Sequence, residues 1–163
     1  MVSLTVWRYP TPLGVDAGEL RMKSLQEKQA LTVHDAVAVI WMPDAEAPRI
    51  RRLRHDTAKA AGAGSILGGL VGLVVLGPVG GAAAGAAVGA VTHRLRSVGI
   101  NDEVVEQIRN QLTPGTSALL VLSSHADVDK LRPLLARREA TLIHAELSED
   151  APAELRLLLA EEE

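Results

Sequence analysis

Apolar and polar positions alternate in residues 3–9 (SLTVWRY), which predicts a strand stopped by Pro10 and Pro12. Asp16 followed by Glu19 has the spacing of a capping box and predicts a helix over about 16–30. Residues 34–42 (HDAVAVIWM) are apolar on both faces, as in a strand covered from both sides. Pro43-Asp44 predicts a turn, and 48–54 (PRIRRLR) a return strand. Ile50 and Leu53 have opposite parity there, so a bulge or an early end is expected. Asn101 is placed to cap a helix over about 102–112, with Asp102 and Glu103 in its first turn. Val104, Val105, Ile108 and Leu112 form its apolar stripe, and Pro114-Gly115 ends it. Residues 117–123 (SALLVLS) predict a strongly apolar strand. Ser124 with Asp127 can open another helix, which Pro133 kinks or shortens. Residues 140–147 (ATLIHAEL) predict a strand, and Ser148 or Asp150 opens a last helix carrying Leu155, Leu158 and Leu159 on one side.

With the middle of the chain set aside, the order is β-α-β-β-α-β followed by α-β-α. The first six elements match a ferredoxin-like split βαβ pattern: a four-stranded sheet with two helices on one face. The expected class is α+β, with the C-terminal αβα as an extension of the sheet. The expected domains are a discontinuous ferredoxin-like unit (1–55 and 99–163) and an inserted glycine-zipper helical hairpin (56–98).

The middle breaks the pattern. Residues 60–92 carry no charged side chain, and ten of the 14 glycines lie between Gly62 and Gly89. One straight helix of that length would run about 50 Å, but Gly77-Pro78 interrupts it. On either side the glycines recur every fourth residue: Gly64, Gly68, Gly72, then Gly77, Gly81, Gly85, Gly89. That spacing lines one helix face with residues that admit another backbone closely. Each glycine costs about 1 kcal/mol of helix propensity relative to Ala, so the spacing points to a close-packed partner rather than a passive linker. The first arm is oily (Ile66, Leu67, Leu70, Val71, Leu73 to Leu76), and the second is mainly Ala and Gly.

Charge sharpens the contrast. Between Arg49 and Arg96 there are seven Lys/Arg and one acid, while the rest holds ten bases and nineteen acids. Arg49, Arg51, Arg52, Arg54 and Lys59 precede the segment; Arg94 and Arg96 follow it. Basic residues at both ends suit a hairpin whose ends share one side of a membrane, and not a single span. They also suit contact with anionic lipid headgroups or with a neighbouring subunit's acids. Two readings follow: a hairpin that enters or lies against a membrane, and a soluble ring or shell with hairpins packed inside. In both, the partner is a further copy of the chain. Nucleic acid is not expected, because the net charge is −3 and the aromatics are only Trp7, Tyr9 and Trp41. Both Trp residues are expected in the core or on a sheet face.

No constellation announces a reaction, and no catalytic residue, cofactor or metal is expected. Cys is absent, so thiolate ligands and cysteine nucleophiles are excluded. No Gly-Lys pair exists for a Walker A loop, and no G-x-S-x-G elbow occurs. Gly62 and Gly64 begin a dinucleotide fingerprint, but Leu67 occupies its third glycine position. None of His34, His55, His93, His125 and His144 pairs at i, i+4. His55 and His93 bracket the insert, where a basic collar explains them better than a metal does. The start MVSLTVWRYP has no basic region followed by an apolar stretch, so no signal peptide is expected. The expected location is cytoplasmic, or the cytoplasmic side of a membrane.

A basic-flanked glycine segment inside such a domain, closed by the run from Leu142 through Leu159 with its LSED and LRLLL, resembles the bacterial DUF-1269 family. That family is one of predicted membrane proteins of unknown function, and the architecture is also similar to general stress proteins with glycine-rich inserts. The resemblance covers roughly residues 30–160. It implies a bacterial origin, membrane association and a stress link, and it supplies no catalytic residues. The expected function is therefore a non-enzymatic homo-oligomer, membrane-associated through its glycine hairpin. A soluble self-assembling complex is the alternative, and a small-molecule sensor or enzyme a distant third.

Overall fold

The computed structural model describes residues 3–53, 67, 70–75, 100–135, 140–147, 149 and 151–160. The strands are β1 (Ser3–Tyr9), β2 (Thr32–Ile40), β3 (Arg49–Leu53), β4 (Ser117–Ser124) and β5 (Thr141–Glu146). The helices are α1 (Gly14–Glu27), α2 (Asp102–Gln111), α3 (Val128–Leu135) and α4 (Ala153–Ala160). Residues 70–75 are also helical. The protein is α+β. Its five strands form one antiparallel sheet in the order β3-β2-β4-β1-β5.

β4 is the spine. It pairs with β1 on one side and β2 on the other, and seven of its eight residues are buried. Its alternation divides the core. Ala118, Leu120 and Leu122 face one layer with Leu4, Val6, Val37 and Val39. Leu119 and Val121 face the other with Tyr9, Val15, Met22 and Ala38.

The two layers correct the expected placement of helices. α1 and α2 do not share a face. α1 covers the Leu119 side, where α3 and α4 join it through Val128, Leu131 and Leu155. α2 covers the opposite side with Val105 and Ile108, followed by Leu112. A sheet that is apolar on both faces needs cover on both, and α2 supplies the second layer.

Local chemistry explains the boundaries. Asn101 caps α2 as expected, its side chain accepting the Val104 N–H at 3.0 Å. The Asp16–Glu19 capping box does not form. The cap position of α1 is Leu13, without a side-chain cap bond of its own. Instead the buried Ser117 hydroxyl, from β4, accepts the Val15 N–H at 3.1 Å and donates to the Thr11 carbonyl at 2.6 Å. α1 closes in a Schellman motif: Ala30 N–H reaches Leu25 O at 2.9 Å and Gln29 N–H reaches Gln26 O at 3.0 Å, with Gln29 at φ +53°. The Ile50–Leu53 parity clash produces no bulge, since β2 and β3 pair in unbroken register. Leu53 is buried, and Ile50 is left 48% exposed on the edge strand.

Candidate association surface

The glycine segment enters the fold through its first arm. Leu67, Leu70, Val71 and Val74 recur at i, i+3, i+4 and i+7, one face of a helix, and all four are buried against the sheet. Their neighbours include Leu4, Val37, Leu120 and Ile143 from the strands and Ile108 from α2. This stretch is part of the domain core, although the sequence places it in a separate hairpin.

Arg109 of α2 fastens the stretch. Its Nη2 donates to the Leu73 carbonyl at 2.7 Å and its Nε to the Val74 carbonyl at 3.2 Å, while Nη1 reaches Glu106 at 2.6 Å. Sequence supplies the reason. A helical carbonyl at 74 looks to the N–H of residue 78, and residue 78 is proline, which has none. The guanidinium supplies a donor to that carbonyl and to its neighbour at Leu73. Nothing in the spacing of Arg109 marks it for this role; the link spans 35 residues and depends on the fold.

The other side of the arm is different. Of the seven spaced glycines only Gly72 is described. A Cβ built there meets no described atom within 4 Å. Leu73 and Val75 flank it, partly buried. The contrast with α1 is informative, because at Gly18 a Cβ would collide with the Tyr9 ring, its Cζ at 2.6 Å. Gly18 is needed for a close contact inside the domain, whereas Gly72 makes none with the described residues. Gly64, Gly68, Gly77, Gly81, Gly85 and Gly89 lie outside the described residues.

The basic flank is divided too. Arg49, Arg51 and Arg52 are exposed on β3. Arg51 turns toward α1 and contacts Asp16 at 2.6 Å and Glu19 at 2.9 Å. The Asp16 hydrogen bond, together with the Glu19 and Asp16 charges, outweighs burial and raises its pKa above the ordinary arginine value. These two carboxylates, expected at a helix cap, serve the arginine instead. Arg52 stands 4.0 Å from Asp35. Arg54, Lys59, Arg94, Arg96, His55 and His93 lie outside the described residues. Trp7 and Trp41 are both partly buried against the core, and the Trp41 indole donates to the Ala45 carbonyl at 3.0 Å.

Among the described residues no helix is long and apolar enough to cross a membrane. Comparison with curated proteins and with solved structures gives no match. One family model does match, over residues 61–160, from the glycine arm through α4. On that match the chain belongs to the DUF1269 family of proteins of unknown function.

Proposed function

We propose that the protein is a homo-oligomerising domain whose glycine-rich arm docks its small-residue side on a second copy of the chain. The observation that carries this is the two-sidedness of residues 67–75. Large side chains face the protein's own sheet, and Gly72 faces no described neighbour. Helix propensity favours Ala over Gly there by about 1 kcal/mol, and the described fold offers no reason to forgo it. A backbone approaching from another chain does. The strand order supports a ferredoxin-like reading of the scaffold. β5-β1-β4-β2 is its four-stranded core, α1 and α3 are the crossovers, and β3 is an added edge strand.

Burial of the arm favours the soluble form of this reading over membrane entry. Lipid would keep the four buried aliphatic side chains out of water, so entry gains nothing from them, and it bares the side chains they cover, Leu4, Val37, Leu120 and Ile143 among them. Exposing such a side chain costs about 1.5–3 kcal/mol, so several together rival the about 5–15 kcal/mol that holds a typical domain folded. A peripheral lipid contact is the second reading, supported by the exposed row of Arg49, Ile50 and Arg52 on β3.

The test is the native mass of the full chain by light scattering, with and without anionic vesicles, for wild type, Gly72→Ala and Gly72→Leu. The expected wild-type particle is a multimer without lipid. Gly72→Leu should shift it toward monomer while the domain stays folded. A wild-type monomer, or a Gly72→Leu particle of unchanged mass, overturns the proposal. Co-sedimentation that needs vesicles and fails after Arg49→Glu/Arg52→Glu selects the lipid reading instead.

A further inference from the structure

We propose that His34, Ser124 and His125 form a binding site for a divalent transition metal of the zinc or copper type. His34 Nε2 lies 2.6 Å from Ser124 Oγ, and His125 Nδ1 lies 2.9 Å from the same oxygen. Two imidazoles that are 91 positions apart in the chain therefore point a ring nitrogen at one hydroxyl.

Backbone irregularities on both sides create this convergence. Val33 pairs with Ser123 and Asp35 with Leu122, so His34 is the extra residue of a bulge in β2. Bulges re-aim a side chain that regular pleating would place elsewhere. His125 follows the last residue of β4 at φ +53°, a left-handed conformation that few non-glycine residues adopt. That turn folds its ring back onto its neighbour. Both rings are thus aimed by departures from regular backbone.

The spacing suits a coordination shell. Imidazole nitrogens bind zinc at about 2.0–2.1 Å, so ligands at right angles around such a metal sit about 2.9 Å apart and tetrahedral ones about 3.4 Å. The observed hydrogen-bond distances of 2.6 and 2.9 Å match the right-angled edge within a few tenths of an ångström and fall short of the tetrahedral one, so a tetrahedral ion would have to spread the three side chains. Neutral imidazole suits zinc, copper and nickel. The hydroxyl has one proton and can donate to only one ring. In the metal-free state the other ring must therefore donate N–H to Oγ. Metal binding requires that ring to change tautomer and free its lone pair. Among the described residues no third imidazole or carboxylate completes a cluster. The contacts are solvent-exposed, so water fills the remaining positions.

The experiment is titration of the full chain with Zn²⁺ by calorimetry, and with Cu²⁺ by electron paramagnetic resonance. One equivalent should bind, and the Cu²⁺ spectrum should show coupling to two nitrogens. His34→Gln and His125→Gln should each weaken binding at least tenfold and reduce the coupling to one nitrogen. His55→Gln and His93→Gln should leave both readouts unchanged. The side chains involved are at the surface, and circular dichroism checks that each variant folds. Failure to take up metal, or binding that survives loss of His34 or depends on His55 or His93, overturns the proposal.

Discussion

Replacing Arg109 with Met should loosen the glycine arm from its own domain. The guanidinium is 28% exposed and donates to two main-chain carbonyls, Leu73 and Val74. Hydrogen bonds from a charged donor are worth about 1.5–3 kcal/mol, and a buried acceptor left without a donor costs about 1–3 kcal/mol. The α-helical i+4 donor to the Val74 carbonyl would be residue 78, and Pro78 has no N–H. Partial exposure lets water offset part of the loss, so the expected destabilisation is about 2–3 kcal/mol. For a chain of this size that is a fall in Tm of roughly 4–10 °C. Urea unfolding measures the first quantity and calorimetry the second. Hydrogen exchange at residues 70–75 should accelerate more than exchange in β4. Arg109→Lys keeps the charge without the planar fork and should recover only part of the loss. The Glu106 contact is exposed and worth under about 1 kcal/mol, which Glu106→Gln checks. If Arg109→Met unfolds within about 0.5 kcal/mol of wild type, with exchange at 70–75 unchanged, the latch does not exist.

Three further substitutions probe the scaffold. Gly18→Ala should cost about 1–3 kcal/mol, because the new methyl drives the buried Tyr9 ring off α1; thermal unfolding reads it, and Tyr9→Leu in the same chain should recover part. Gln29→Gly should stabilise by about 1 kcal/mol in urea, since Gln29 holds the left-handed position of the Schellman motif; a loss of stability would refute the strain. Ser117→Ala should cost about 1–2 kcal/mol and expose the Val15 amide to exchange, since one hydroxyl serves both Val15 and Thr11.

Legibility in the sequence followed the range of the interactions. The strands and α2 show in the pattern because alternation and the Asn101 cap act within a few residues. The α1 cap is not legible, because Asp16 and Glu19 have the right spacing for a box, yet Arg51 on β3 takes both carboxylates and Ser117 supplies the cap from 102 residues away. Helix faces are hidden in the sequence for the same reason. An apolar stripe says that α2 is buried, and only the sheet order says on which side. The oily half of the glycine segment resembles a membrane element because composition does not reveal what covers it. Leu67, Leu70, Val71 and Val74 are oily because the sheet beneath them is. His34 and His125 carry no signal at all, since a bulge and a left-handed residue bring them together.

Both edges of the sheet discourage growth, which bears on the association proposed above. On β3, Arg49, Arg51 and Arg52 crowd five residues with like charge, so two such edges laid side by side repel. On β5 the pairing with β1 is interrupted at the Val6/Trp7 step, and the Ile143 carbonyl near it is taken by Gln107 Nε2 at 2.8 Å. A bulge and a side-chain cap are how natural sheets blunt an edge against further strands. The layers are closed as well: α1, α3 and α4 cover one face, and α2 with the glycine arm covers the other. Among the described residues, what remains is the side of the arm away from the sheet, where Gly72 offers backbone instead of side chain. The proposed association through it would be helix against helix, and it should then proceed without any gain in strand content. On that proposal the residues that complete the core on one side would present the contact on the other. Loss of the arm from the sheet would then remove the proposed contact surface together with the core above the sheet.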